Sequence, residues 1–181
     1  MDRLKIATAW LGGCSGCHMS FLDLDEFLID LAARVDVVYS PIMDVKEYPD
    51  GVDLCLVEGA VCNEDNLELL QKIRARTRIL VSFGDCAITC NVTSLRNLLG
   101  EKNTDQILQR AYVEAADANP MRPALAGIVP VLLPKVRPVH EMVPVEYFLP
   151  GCPPPAPRIK ALLTNILDHA PALTGAQLKF G

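Results

Sequence analysis

Five short apolar runs divide this chain, and between them come stretches whose apolar residues recur at helical spacing. The runs are Ile6–Leu11, Val35–Tyr39, Val52–Val57, Arg78–Phe83 and Val145–Leu149. Each is strand-length and nearly continuous, the pattern of strands buried on both faces. A helix is expected from Ser20, with Asp23 completing a capping box and Phe21, Leu24, Leu28 and Leu31 on one stripe. A second starts at Asn63, with Glu64 and Asp65 in its first turn and Lys72, Arg74 and Arg76 in its last, which complements the helix dipole. Further helices are expected around Thr93–Leu99, from Thr104 to about Ala118, and from about Ala156 to His169. Strands alternating with helices predict an α/β fold, a doubly wound parallel sheet of about five strands.

The chain has 181 residues, room for one well-buried α/β domain, and residues 1–181 are read as a single unit. Of its 14 prolines, 11 lie between Pro120 and Pro157, so residues 120–157 are expected to be mostly loop. Half the residues are hydrophobic, yet no apolar run approaches the ~18–20 residues that span a bilayer, and no signal peptide opens the chain. The chain therefore reads as cytoplasmic. Its apolar surplus points to a large partner interface. A net charge of −5 without any basic block argues against nucleic acid as a partner.

In doubly wound sheets, ligands bind beyond the carboxyl ends of the strands. Cys14 and Cys17 follow the first expected strand, inside Leu11-Gly12-Gly13-Cys14-Ser15-Gly16-Cys17-His18. Cys86 follows the fourth, and Cys152 the fifth. Four thiols from distant loops thus fall on one sheet edge. Alone, a C-x-x-C pair also suits a thioredoxin-type redox site. Four thiolates could hold zinc or an iron–sulfur cluster. Only one pair is close in sequence, and the domain needs no metal staple, which favours a cluster at a functional edge. The other thiols read as structural: Cys55 lies mid-strand, Cys90 follows Cys86 by one turn, and Cys62 is the strongest rival ligand because it follows the third strand. His140 and His169 read as surface groups, and His18, beside Cys17, as a group that tunes the site.

The motifs Gly13-Cys14-Ser15-Gly16-Cys17, Glu58-Gly59, Gly84-Asp85-Cys86-Ala87 and Pro150-Gly151-Cys152-Pro153-Pro154 resemble, in order, the small subunit of nickel–iron hydrogenases. His18-Met19-Ser20 resembles the cytoplasmic NAD-reducing (bidirectional) type. The resemblance implies a flavodoxin-like domain with one 4Fe–4S cluster, the proximal one, held by Cys14, Cys17, Cys86 and Cys152. It also implies a nickel–iron large subunit as partner, with electrons passing on to the iron–sulfur and flavin subunits of a diaphorase module that reduces NAD.

Three departures qualify that expectation. Many relatives carry a proton-moving glutamate two residues after the second cysteine; here it is Met19, with Glu58 a weak substitute. A Gly-Gly pair after the third-ligand motif is Cys90-Asn91 here. Longer relatives carry two further clusters in a C-terminal domain, and the chain ends at Gly181. Two other readings stand beside this one: the homologous cluster subunit of respiratory quinone reductases, whose first-site cysteines are adjacent, and a non-enzymatic zinc- or flavin-binding module.

Overall fold

The computed structural model describes residues 3–100 and 102–168. In chain order the strands are β1 (Leu4–Trp10), β2 (Val35–Tyr39), β3 (Val52–Glu58), β4 (Val61–Asn63), β5 (Thr77–Phe83), β6 (Leu132–Arg137) and β7 (Tyr147–Leu149). Five of them form one sheet in the order β2-β1-β3-β5-β7, every neighbour parallel. β4 and β6 pair separately as an antiparallel ribbon. Counting only the strands of the main sheet, the order is 2-1-3-4-5, the flavodoxin-like winding, whose switch point lies between β1 and β3.

Period-two alternation divides each strand between two cores. In β3, Leu54 and Leu56 pack with Ile6, Val81, Phe83 and Leu149 on one side. Cys55 and Val57 pack with Ala7, Ala9 and Leu80 on the other. Helices α1 (Gly16–Leu22), α2 (Phe27–Arg34) and α7 (Ala156–Leu167) cover the first side, through Cys17, Leu31, Ile159, Leu162 and Leu163. Helices α3 (Glu64–Arg76) and α6 (Val139–Met142) cover the second, through Leu70, Ile73 and Val139. The remaining helices are α4 (Asp85–Thr89), a 3-10 helix (Asn91–Leu99) and α5 (Asn103–Gln109), which continues into a π turn at Arg110–Glu114. Among the described residues no helix is long and apolar enough to cross a membrane.

The first four runs and the helix capped by Asn63 stand close to where the sequence puts them; Asn63 Oδ1 accepts Asn66 N at 2.8 Å. The first helix does not. It begins at Gly16, breaks after Leu22, and resumes at Phe27 as α2, with Asp25 at φ 50° in the turn. Ser20 is inside α1, and its hydroxyl donates to Pro154 O at 2.6 Å instead of capping. Its expected capping box is therefore absent, because Ser20 lies inside the helix and not before it. The strand expected at Val145 starts at Tyr147, and β4, β6 and α6 had no clear apolar periodicity to announce them. The expected end of the last helix at His169 lies outside the described residues.

Candidate metal centre

Two pairs of loops meet at the carboxyl edge of the sheet, each pair tied by backbone hydrogen bonds. After β1 and β3, Leu11 N donates to Glu58 O at 2.8 Å, while Gly12 and Ala60 exchange N–H···O bonds of 2.9 and 2.8 Å. This seam demands glycine. A Cβ on Gly12 would lie 2.2 Å from Cys62 Sγ, and one on Gly59, at φ 89°, would lie 2.9 Å from Gly12 O. After β5 and β7, Gly84 N donates to Leu149 O at 2.8 Å and Asp85 N to Gly151 O at 2.9 Å. Gly151 N returns the bond to Asp85 Oδ1 at 2.7 Å.

Cys14 and Cys17 ride on the first pair of loops, Cys86 and Cys152 on the second. Ser15, at φ 65°, turns the chain so that α1 starts one residue before Cys17. Cys86 is the second residue of α4, which begins after Gly84 at φ 84°. Cys152 follows Gly151 and precedes a cis proline peptide. Cys14 and Cys152 are exposed, Cys86 is half-buried and Cys17 is buried.

The electrostatics link these four thiols. Burial first, then the charges of Glu58, Cys86, Cys14 and Cys152, push the Cys17 thiol far above its ordinary value. Burial, then Cys152, Cys14, Glu58 and Asp85, push Cys86 up to about 11. Thiols that resist ionising beside one another and beside two carboxylates are ones that a cationic centre would let ionise. The backbone is also pared back beside them. A Cβ on Gly84 would lie 2.2 Å from Cys17 Sγ, and one on Gly16 would lie 3.3 Å from Cys14 Sγ. Donor set and cradle both fit a thiolate-bound centre. Among the described residues, no group of three or more His, Cys, Asp or Glu side chains is gathered tightly enough for a single metal ion.

The remaining cysteines are placed differently. Cys55 is fully buried in β3, its thiol pushed up to about 12 by burial. Cys62 and Cys90 pack with Ala60 and Val136 in a small separate cluster. Cys90 is at φ 67° and Asn91 at φ 43°, so both keep a left-handed backbone without being glycine.

Glu58 is the group that sequence reasoning undervalued. It is 2% exposed, and its carboxylate accepts Cys17 N at 3.3 Å and His18 N at 2.9 Å. His18 Nδ1 rests against the same carboxylate, and His18 Nε2 is buried without a hydrogen-bond partner. Glu58 thus caps α1 from across the sheet edge, which explains why no local capping signal marks that helix. The signal in the sequence was an acid ending the apolar run Leu54–Val57 of β3. Met19, by contrast, is 61% exposed.

Residues 14–166 match the family described as NADH ubiquinone oxidoreductase, 20 Kd subunit. The chain is 38% identical over 172 residues to the NAD-reducing hydrogenase HoxS subunit delta of Cupriavidus necator, covering 93% of this chain and 81% of that one. It is 35% identical over 176 residues to a component of the F420-non-reducing hydrogenase of Methanothermobacter thermautotrophicus, covering 91% of this chain but only 54% of that longer one. Among solved structures, a chain from the crystal structure of an NAD+-reducing NiFe hydrogenase in the H2-reduced state superposes with a TM-score of 0.91, at 38% identity and 98% coverage of both chains.

Proposed function

This chain belongs to the NADH ubiquinone oxidoreductase 20 kDa subunit family and, within it, to the small subunits of NAD-reducing nickel–iron hydrogenases, and from that premise we propose that it carries electrons through one proximal 4Fe–4S cluster held by Cys14, Cys17, Cys86 and Cys152. Such a cluster supplies single-electron transfer and needs no acid–base residue beside it. On this reading electrons pass between the nickel–iron site of the large subunit and the iron–sulfur and flavin subunits of a diaphorase module. The chain is then one cytoplasmic domain, residues 1–181, with one site.

The observation that carries the reading is the placement of four cysteines from three separate loops at one sheet edge, with Gly84 and Gly16 leaving room beside Cys17 and Cys14. Zinc is the poorer occupant, because structural zinc usually takes two close pairs of ligands and only Cys14 and Cys17 are close in sequence. The chain's own residues have three tasks. The four thiols bind. Glu58 fixes the start of α1, and so the positions of Cys17 and His18, through two backbone N–H groups. Phe83, Leu149 and the buried Cys17 side chain keep water from the inner side of the site.

The test uses the whole complex. Removing the cluster, by replacing Cys17 with serine, should abolish hydrogen-driven NAD reduction while the diaphorase module still oxidises NADH with an artificial acceptor. Full hydrogen-driven NAD reduction by a complex whose small subunit lacks iron would overturn the proposal.

A further inference from the structure

Cys152 is exposed and stands on a loop that has little means of holding itself. From Pro150 to Pro155 the chain reads Pro-Gly-Cys-Pro-Pro-Pro, so only Gly151 and Cys152 carry a backbone N–H. A segment so poor in donors is fixed through its carbonyls, or by side chains that reach it from elsewhere. Two such side chains reach it, one on either side of Cys152. Before it, Gly151 N donates to Asp85 Oδ1 at 2.7 Å, and Asp85 N donates to Gly151 O at 2.9 Å. After it, Pro154 O accepts the Ser20 hydroxyl at 2.6 Å, a contact between residues 134 apart in sequence.

Both side chains belong to helices that carry another of the thiols. Asp85 opens α4 and is followed at once by Cys86. Ser20 lies three residues after Cys17 in α1, on the same helix face, and the two are 5% and 7% exposed. A serine inside a helix ordinarily turns its hydroxyl back to the carbonyl one turn earlier. Ser20 gives its single O–H to the other loop instead. Pro154 is buried as well, so loss of the Ser20 donor strands a carbonyl that water reaches poorly.

We propose that Ser20 and Asp85 are positioning residues that bracket Cys152 and hold it beside Cys17 and Cys86, an inference that rests on the ligand set proposed above. Asp85 ties the Cys152 loop to the helix of Cys86, and Ser20 ties it to the helix of Cys17. Ser20 carries the greater load. Its bond joins the two pairs of loops, whereas the Asp85 bonds lie within one pair. The Asp85 backbone also keeps its bond to Gly151 O when the side chain is replaced, while Ser20 offers Pro154 a single donor.

The test reads thiol placement in the metal-free full-length chain and iron retention in the iron-loaded one. A short bis-maleimide joins thiols that stand close together, and mass spectrometry of the digested chain shows which. The native chain should give a Cys17–Cys152 and a Cys86–Cys152 cross-link. Ser20→Ala should lower the first roughly tenfold and release iron to a chelator roughly tenfold faster, the equivalent of one ordinary hydrogen bond. Ser20→Thr keeps the hydroxyl and should restore both. Asp85→Ala should lower the Cys86–Cys152 cross-link, and Asp85→Asn, which keeps an acceptor oxygen, should retain it. Ser94→Ala deletes a hydroxyl-to-carbonyl bond in the 3-10 helix and should change neither readout. Native cross-linking and iron release in Ser20→Ala overturn the proposal, as do equal losses in Ser20→Thr or Ser94→Ala. A Ser20→Ala chain that fails to fold, beside an Asp85→Ala chain that cross-links like the native one, also counts against it. Iron content separates the two readings: an iron-free chain whose Cys17–Cys152 cross-link depends on Ser20 refutes the cluster and leaves the bracket standing.

Discussion

Glu58, the last residue of β3, accepts the backbone N–H of His18 at 2.9 Å and so holds the start of the helix that carries Cys17. The bond spans 40 residues of sequence and joins the two strands at the switch point of the sheet. The bond is part-buried and its acceptor residue is 2% exposed, so removing that acceptor leaves donors that water reaches poorly.

Replacing Glu58 with alanine should therefore destabilise the metal-free chain by about 2–4 kcal/mol, since two backbone donors lose their buried acceptor. Glu58→Gln keeps one acceptor oxygen and should cost roughly half as much. Denaturant unfolding of the three proteins checks the order. If the alanine and glutamine variants cost the same, and both under about 0.5 kcal/mol, Glu58 does not anchor α1.

Gly84 and Gly100 have almost the same φ, 84° and 77°, and differ in what surrounds them. A Cβ on Gly84 meets Cys17 Sγ at 2.2 Å, whereas one on Gly100 meets nothing within 4 Å. Gly100→Ala should cost only the strain of an alanine at φ 77° and ψ −155°, a region that essentially glycine alone adopts, about 1–3 kcal/mol. Gly84→Ala should cost more than that and also displace the Cys17 thiol, lowering iron retained per chain. Iron analysis with unfolding midpoints on both variants tests this; normal iron in Gly84→Ala contradicts the close packing.

A pH dependence follows from Glu146. Burial opposes its ionisation, but the Leu80 N–H at 2.6 Å and the Arg74 guanidinium at 2.8 Å outweigh burial and hold its carboxyl below the ordinary 4.5. A depressed folded value means that the stabilisation is present above pH 4.5 and is lost as pH falls through the folded value. Unfolding midpoints should fall on acidification in that window, and Glu146→Gln should flatten this part of the profile. An unchanged acid limb in the variant would remove Glu146 from the account.

Much of this was legible in the sequence for physical reasons that also limited it. Buried parallel strands announce themselves as continuous apolar runs, so the order of elements could be read, and with it the edge to which Cys14, Cys17, Cys86 and Cys152 belong. The start of α1 could not be read, because its cap is Glu58, supplied from β3 and not by a neighbour in sequence. Ser20 looked like a cap by composition and instead donates to Pro154 O. Cys90-Asn91 looked like a lost glycine pair, yet the left-handed backbone persists there, since asparagine tolerates it and Cys90 is held by packing.

The most direct test of the central claim is iron and acid-labile sulfide per chain, with the electron paramagnetic resonance signal, across single cysteine replacements. The native chain should hold about four iron and four sulfide, as one 4Fe–4S cluster requires. That content should be lost or converted in Cys14→Ser, Cys17→Ser, Cys86→Ser and Cys152→Ser, and retained in Cys55→Ser, Cys62→Ser and Cys90→Ser. An intact four-iron signal in Cys152→Ser together with its loss in Cys62→Ser would contradict the ligand set.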